Sequence, residues 1–239
     1  MQPSATPYGG GNEILDRLLP DERATLLSQL SVCDDEESNV LRARDQPIDM
    51  VHFPIDAVYS VVVELAQGNM YEVDVIGRAG VVGAEVAIGA RAASRTVLCQ
   101  ASGRVACLPG DQFKTALDRN RTFLLAVRES LRRQWFDSQQ TVACNFAHPI
   151  EQRAARWILM TRDQVGQDNF SMRPEFLAIM LGVNEMMVSE IIAALVQLDC
   201  IRYQDERVGV LSPDTLREYV CECYDRQRTA PFITSDERD

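Results

Sequence analysis

The spacing of apolar positions changes along the chain, and each change marks a different kind of element. Residues 13–18 and 22–30 carry short helical patterns, preceded by Asn12 and Asp21, whose side-chain oxygens can cap helix N-termini. The acidic run Asp34-Asp35-Glu36-Glu37 reads as a solvated loop or a helix start. From about Pro47 to Leu108 the texture is short and β-branched: 58–65 (VYSVVVEL), 70–76 (MYEVDVI), 96–101 and 103–108, separated by Gln67-Gly68-Asn69, a glycine-studded stretch over 77–89, and Ser102-Gly103. Short strands with regular turn signals predict a β-sandwich or jelly roll. After Pro109-Gly110-Asp111 the period becomes helical. Over 121–146 apolar residues fall at Leu124, Val127, Leu131, Trp135 and Val142, with Ser138 on the same stripe. Such a helix is longer than a small β-domain can cover. It is therefore expected to pair with a second copy of the chain through those six residues; the alternative is packing wholly on its own domain. His148-Pro149 punctuates, and a second helix over 150–164 carries Ala154, Trp157, Ile158 and Met160.

The most specific segment is Arg173 to Leu198. A first helix presents Phe176, Leu177, Met180 and Leu181; Gly182 permits a left-handed turn, Val183 plugs it, and Asn184 caps a second helix with Val188, Ile191, Ile192 and Leu195 on one face. This is the pattern of a helix-turn-helix. Residues 200–203 and 208–211, around 204–207, then read as a two-stranded wing. In this order (β-sandwich, long helix, the helix containing Glu151 to Arg156, helix-turn-helix, wing) the chain resembles the CRP/FNR family of bacterial transcription regulators over roughly residues 12–225.

The resemblance implies an α+β chain: an N-terminal cyclic-nucleotide-binding-like jelly roll (12–120), a dimerisation helix (121–146) and a C-terminal winged helix-turn-helix (147–225). Disordered tails are expected at 1–11, which is small and Gly/Pro-rich, and at 226–239. The implied partners are double-stranded DNA, a second copy of the chain and RNA polymerase, in the cytoplasm and with no membrane. The family's DNA contacts carry over to Arg173, Asn184, Glu185, Met186, Ser189, Glu190, Arg202 and Arg207.

Charge complicates that expectation. The chain has 24 basic residues, all Arg but Lys114, against 35 acidic ones, for a net charge of −11. Residues 147–225 alone hold seven Arg and thirteen Asp or Glu, a net of −6. Well-studied family members place arginines where Glu185 and Glu190 stand, and a glutamate where Met186 stands. Arginine reads guanine bidentately, whereas glutamate only accepts, and carboxylates near phosphates are repelled. The alternative is a family member whose winged helix has lost DNA and binds protein instead.

An effector site at the jelly roll is the other family feature. Glu85 precedes Arg95-Thr96 by ten residues, as in the family's phosphate cassette, and Ser138 stands where the family places a purine-contacting hydroxyl. Ala84 replaces the cassette glycine and 91–94 departs from the usual interior, so a cyclic nucleotide is admitted but not favoured. Other cofactors leave weaker traces. An iron–sulfur regulator needs an N-terminal cysteine cluster and only Cys33 lies there; His52 is read as entering a strand; Cys221-Glu222-Cys223 is too tight for a tetrahedral zinc site by itself, so no metal is expected. No catalytic Ser/His/Asp or Cys/His constellation is supported, and enzyme activity is not expected. Seven scattered cysteines suit a reducing compartment.

Overall fold

A computed structural model of the chain describes residues 2–3, 7–66 and 68–228. The N-terminal half contains β1 (Gln2–Pro3), α1 (Glu13–Asp16), α2 (Pro20–Leu27), β2 (Ser31–Asp35), β3 (Val40–Arg42), β4 (Met50–Pro54), β5 (Val58–Glu64), β6 (Met70–Ile76), β7 (Thr96–Ala101), β8 (Gly103–Pro109) and α3 (Gly110–Arg119). The remainder is α4 (Arg121–Ala147), α5 (Ile150–Val165), β9 (Asn169–Ser171), α6 (Pro174–Leu181), α7 (Glu185–Gln197), β10 (Ile201–Gln204), β11 (Arg207–Val210), α8 (Pro213–Glu218) and α9 (Cys223–Arg228).

Two antiparallel sheets, ordered β1-β2-β8-β4 and β3-β7-β5-β6, enclose Tyr59, Val61, Val97, Cys99, Val105 and Cys107. The outer face of the first sheet is closed by α1, α3 and the first half of α4, where Phe53, Phe113 and Phe123 pack tilted or edge-on with ring centroids 5.6–6.2 Å apart. Asn12 explains how α1 is fixed: its Oδ1 accepts from the backbone of Ile14 and Leu15, and its Nδ2 donates to Pro54 and Gly80 carbonyls at 2.9 and 3.1 Å. One buried side chain thus caps the helix and staples it to the roll.

Several local expectations change. Asp21 does not cap; α2 starts two residues earlier than expected, at Pro20, whose fixed φ suits a first turn, and Glu22 accepts from the Leu19 amide. The acidic run enters β2, because Asp35 is buried and accepts the Tyr59 hydroxyl at 3.0 Å. The described part of 1–11 is not a free tail: β1 pairs with Cys33 and Asp34, Tyr8 donates to Asp16 at 3.0 Å, and the Gly11 amide donates to Asp16 at 2.8 Å. Hydrogen bonds supply there what the composition lacks in apolar surface. At the other end, residues 226–228 belong to α9, and 229–239 lie outside the described residues.

The stripe on α4 splits into two faces. Val127 is wholly buried in its own domain, Leu124 and Leu131 pack on the same core, and Ser138 donates to the Val73 carbonyl at 3.0 Å. Trp135 (69% exposed) and Val142 (64%) point outward, together with Leu125 and Phe146 (96%). The exposed positions 125, 128, 132, 135, 139, 142 and 146 step by three and four, forming a second, outer face. Of the six residues expected to pair two copies, Trp135 and Val142 are the ones that face outward.

Candidate nucleic-acid interface

The C-terminal unit is built around Trp157, Ile158, Phe176, Leu177, Val188, Ile192 and Leu195. Helices α6 and α7 meet at 102° across Gly182, whose φ of 67° is the left-handed conformation glycine adopts without a Cβ penalty. Arg153 from α5 donates to the Leu181 carbonyl at 3.0 Å, closing the end of α6. That contact positions the turn and was not legible as such within the run 151–156. The wing is β10–β11, turned by Asp205 and Glu206, both at positive φ as a primed hairpin requires. A third strand, β9, joins the wing beside β11; three residues are too few to show a period.

Helix α7 buries Val188, Ile191, Ile192 and Leu195 and presents Glu185, Met186, Ser189 and Glu190 to solvent. It has no Lys or Arg. Asn184 accepts from the Met187 amide at 3.0 Å, and Ser189 donates to the Glu185 carbonyl at 3.0 Å, so both polar side chains are also bonded to their own backbone. Glu185 in the first turn favours the helix dipole. Local stability is thereby a physical reason for a carboxylate at this position. Arg202 and Arg207 are exposed on the wing. Arg173 is occupied: it donates to Ser38 of the jelly roll at 2.8 Å, pairs with Glu175, and lies 3.7 Å from Glu206.

The residues expected at the effector site each have partners of their own, and Arg95 and Ser138 both reach β6, at Asp74 and Val73. Among the described residues no ion pair joins Glu85 to Arg95; Glu85 acts on the buried Arg42, while Arg95 acts on the buried Asp74. Thr96 accepts from the Arg44 amide at 3.1 Å. The seam between β6 and α4, where Ser138 sits, is acidic. Burial, with the nearby Asp137 and Glu72 carboxylates, pushes Asp74 well above the usual range, and burial raises Asp137 to about 6. Burial likewise raises Glu72 to about 7, one of its oxygens having no partner among the described residues.

A raised carboxyl pKa means that the folded chain holds a proton the unfolded chain has released. The Glu72 penalty is therefore absent below about 4.5 and grows as pH rises to about 7. Chemical denaturation is expected to show lower stability at pH 7.5 than at pH 5, with Glu72 contributing about 2 kcal/mol of the difference. Glu72→Gln should flatten the slope. An unchanged slope contradicts the assignment.

A model of the Crp-like helix-turn-helix domain matches residues 152–219, which span α6, α7 and the wing. The chain carries a Crp-like helix-turn-helix on a CRP/FNR fold. In overall fold the CRP/FNR architecture extends through the jelly roll. A CRP-family transcriptional regulator from Thermus thermophilus is similar at 19% identity and a TM-score of 0.66, over 78% of this chain and 95% of that one. FixK2 from Bradyrhizobium japonicum is similar at 10% identity and 0.68, over 80% and 98%. The regulator CLP from Xanthomonas campestris is similar at 12% and 0.63, over 80% and 99%. No curated protein sequence matches the chain. Among the described residues no single helix is long and apolar enough to cross a membrane.

Proposed function

We propose that this CRP/FNR-fold chain regulates transcription in the cytoplasm by binding double-stranded DNA as a homodimer. In this assignment residues 12–120 form the effector unit, α4 pairs two copies through its outer face, and the winged helix from 147 to 225 meets the DNA. The observation that carries it is the outward face of α7, left uncovered beside a wing bearing Arg202 and Arg207 while the opposite face is core. Arg173, Arg202 and Arg207 supply phosphate contacts, Arg173 after release from Ser38; Asn184, Met186 and Ser189 offer neutral contacts to base edges. Selection of genomic fragments by the purified protein tests this: enrichment of a palindromic sequence is expected, and recovery of unenriched input contradicts it.

A second reading, a winged helix that binds protein, is favoured by one observation: α7 has outward Glu185 and Glu190 and no cation. Control by an anionic nucleotide is disfavoured by the acidic seam around Asp74 and Asp137. Calorimetry with cyclic AMP should give no saturable heat. A micromolar Kd that Arg95→Ala abolishes would contradict this.

A further inference from the structure

The Cys-x-Cys pair at 221–223 supplies two soft ligands, and the fold brings it two more. Cys144, in the last turn of α4, lies with its Sγ 3.5 Å from Sγ of Cys221. His148, the residue that ends α4, places Nδ1 3.6 Å from Sγ of Cys223. All four ligand atoms lie within 4.8 Å of one another. Around a tetrahedral zinc ion, with Zn–S about 2.3 Å and Zn–N about 2.0 Å, neighbouring ligand atoms stand roughly 3.5–3.8 Å apart. The Cys144–Cys221 and His148–Cys223 spacings match those edges, and the whole set is compact enough for a single ion.

We propose that Cys144, His148, Cys221 and Cys223 form a Cys3His site for one thiophilic divalent cation, zinc(II) by ligand chemistry and geometry.

Three further features fit. The thiols are buried together as a separate cluster and not dispersed in the apolar core. The imidazole edge away from Cys223 is already engaged: Nε2 is 3.2 Å from Glu222, the carboxylate–histidine arrangement that holds Nδ1 toward a metal. Gln140 donates to Sγ of Cys223 at 3.0 Å, and Arg153 and Arg156 lie close enough to act on Cys144, opposing the negative charge of three thiolates on a divalent ion. Neither α4 nor α9 can build the site alone. It clasps the end of α4 to the start of α9 across the His148–Pro149 break, the point from which α5 and the winged helix leave the long helix. Bound metal would fix that exit.

The test uses the full chain isolated under reducing conditions. Elemental analysis should find close to one zinc per chain. Cobalt(II) added to the reduced, metal-stripped protein should give the intense visible bands of a tetrahedral ion with thiolate charge transfer, saturating at one equivalent and displaced by zinc. Cys221→Ser and Cys223→Ser should weaken cobalt binding at least a hundredfold, Glu222→Gln roughly tenfold, and Cys33→Ser not at all. Zinc should raise the melting temperature of the wild type but not of Cys221→Ser. The proposal is overturned by protein with all thiols titratable, no zinc, and only the pale spectrum of octahedral cobalt. A Cys144–Cys221 disulfide in protein isolated under reducing conditions would also overturn it.

Discussion

Trp135→Glu is expected to convert the protein from a dimer to a monomer at micromolar concentration and to abolish its DNA binding, while leaving the fold intact. Trp135 is 69% exposed in the single chain, so a charge there costs the protomer little. In a symmetric interface the same residue is buried twice. Losing two buried indoles, each worth about 2–3 kcal/mol, weakens the dimer by roughly three to four orders of magnitude in Kd. Phe146→Glu should act in the same direction. Leu131→Glu is a different experiment, because Leu131 packs on its own domain's core and its loss would damage the protomer. Sedimentation of the wild type and both outward variants decides this: a monomeric wild type, or a Trp135→Glu protein that remains a dimer, excludes the outer face of α4 as the seam.

Glu185→Gln with Glu190→Gln is expected to tighten binding to random duplex DNA by roughly ten- to hundredfold at low salt, the gain shrinking as salt rises. The double change removes two negative charges per chain, four in the proposed dimer, from the surface proposed to meet phosphates, and it preserves side-chain size. Glu185 also stabilises the first turn of α7, so a small loss of stability should accompany the gain. Arg173→Ala should weaken binding to every sequence alike and flatten the salt slope by about one unit for each phosphate no longer neutralised. If Glu185→Gln abolishes binding to a selected operator and spares random DNA, the carboxylate reads a base amino group instead of merely repelling the backbone.

The parts that were legible in the sequence are those where one residue type settles a conformation. Gly182 and Asn184 marked the turn and the start of α7, and β-branched runs bounded by turn residues gave β6 and β7 their bounds at 70–76 and 96–101. The parts that were not legible depend on partners far along the chain. The Asp34–Glu37 run looked solvated because nothing local shows that the Tyr59 hydroxyl will meet Asp35. A single helical period could not say which of two faces on α4 meets its own jelly roll, so Val127 and Trp135 looked equivalent. The ten-residue spacing of Glu85 and Arg95 is not matched by an ion pair between them among the described residues. Conversely, Cys144 and Cys221 are 77 residues apart and their sulfurs meet. Spacing rules find ligands within one loop, not ligands assembled by two helices.

Whether the exposed face of α7 and the wing serve DNA is tested most directly by the salt dependence of binding. Fluorescence anisotropy with a selected operator and a random duplex, over about 50–300 mM salt, gives the number of phosphates engaged. Contacts from Arg173, Arg202 and Arg207 in both protomers predict a log–log slope of about −5 for either DNA, with the operator bound more tightly throughout. No measurable complex with either duplex at micromolar protein and the lowest salt would contradict DNA binding and assign the winged helix to a protein partner.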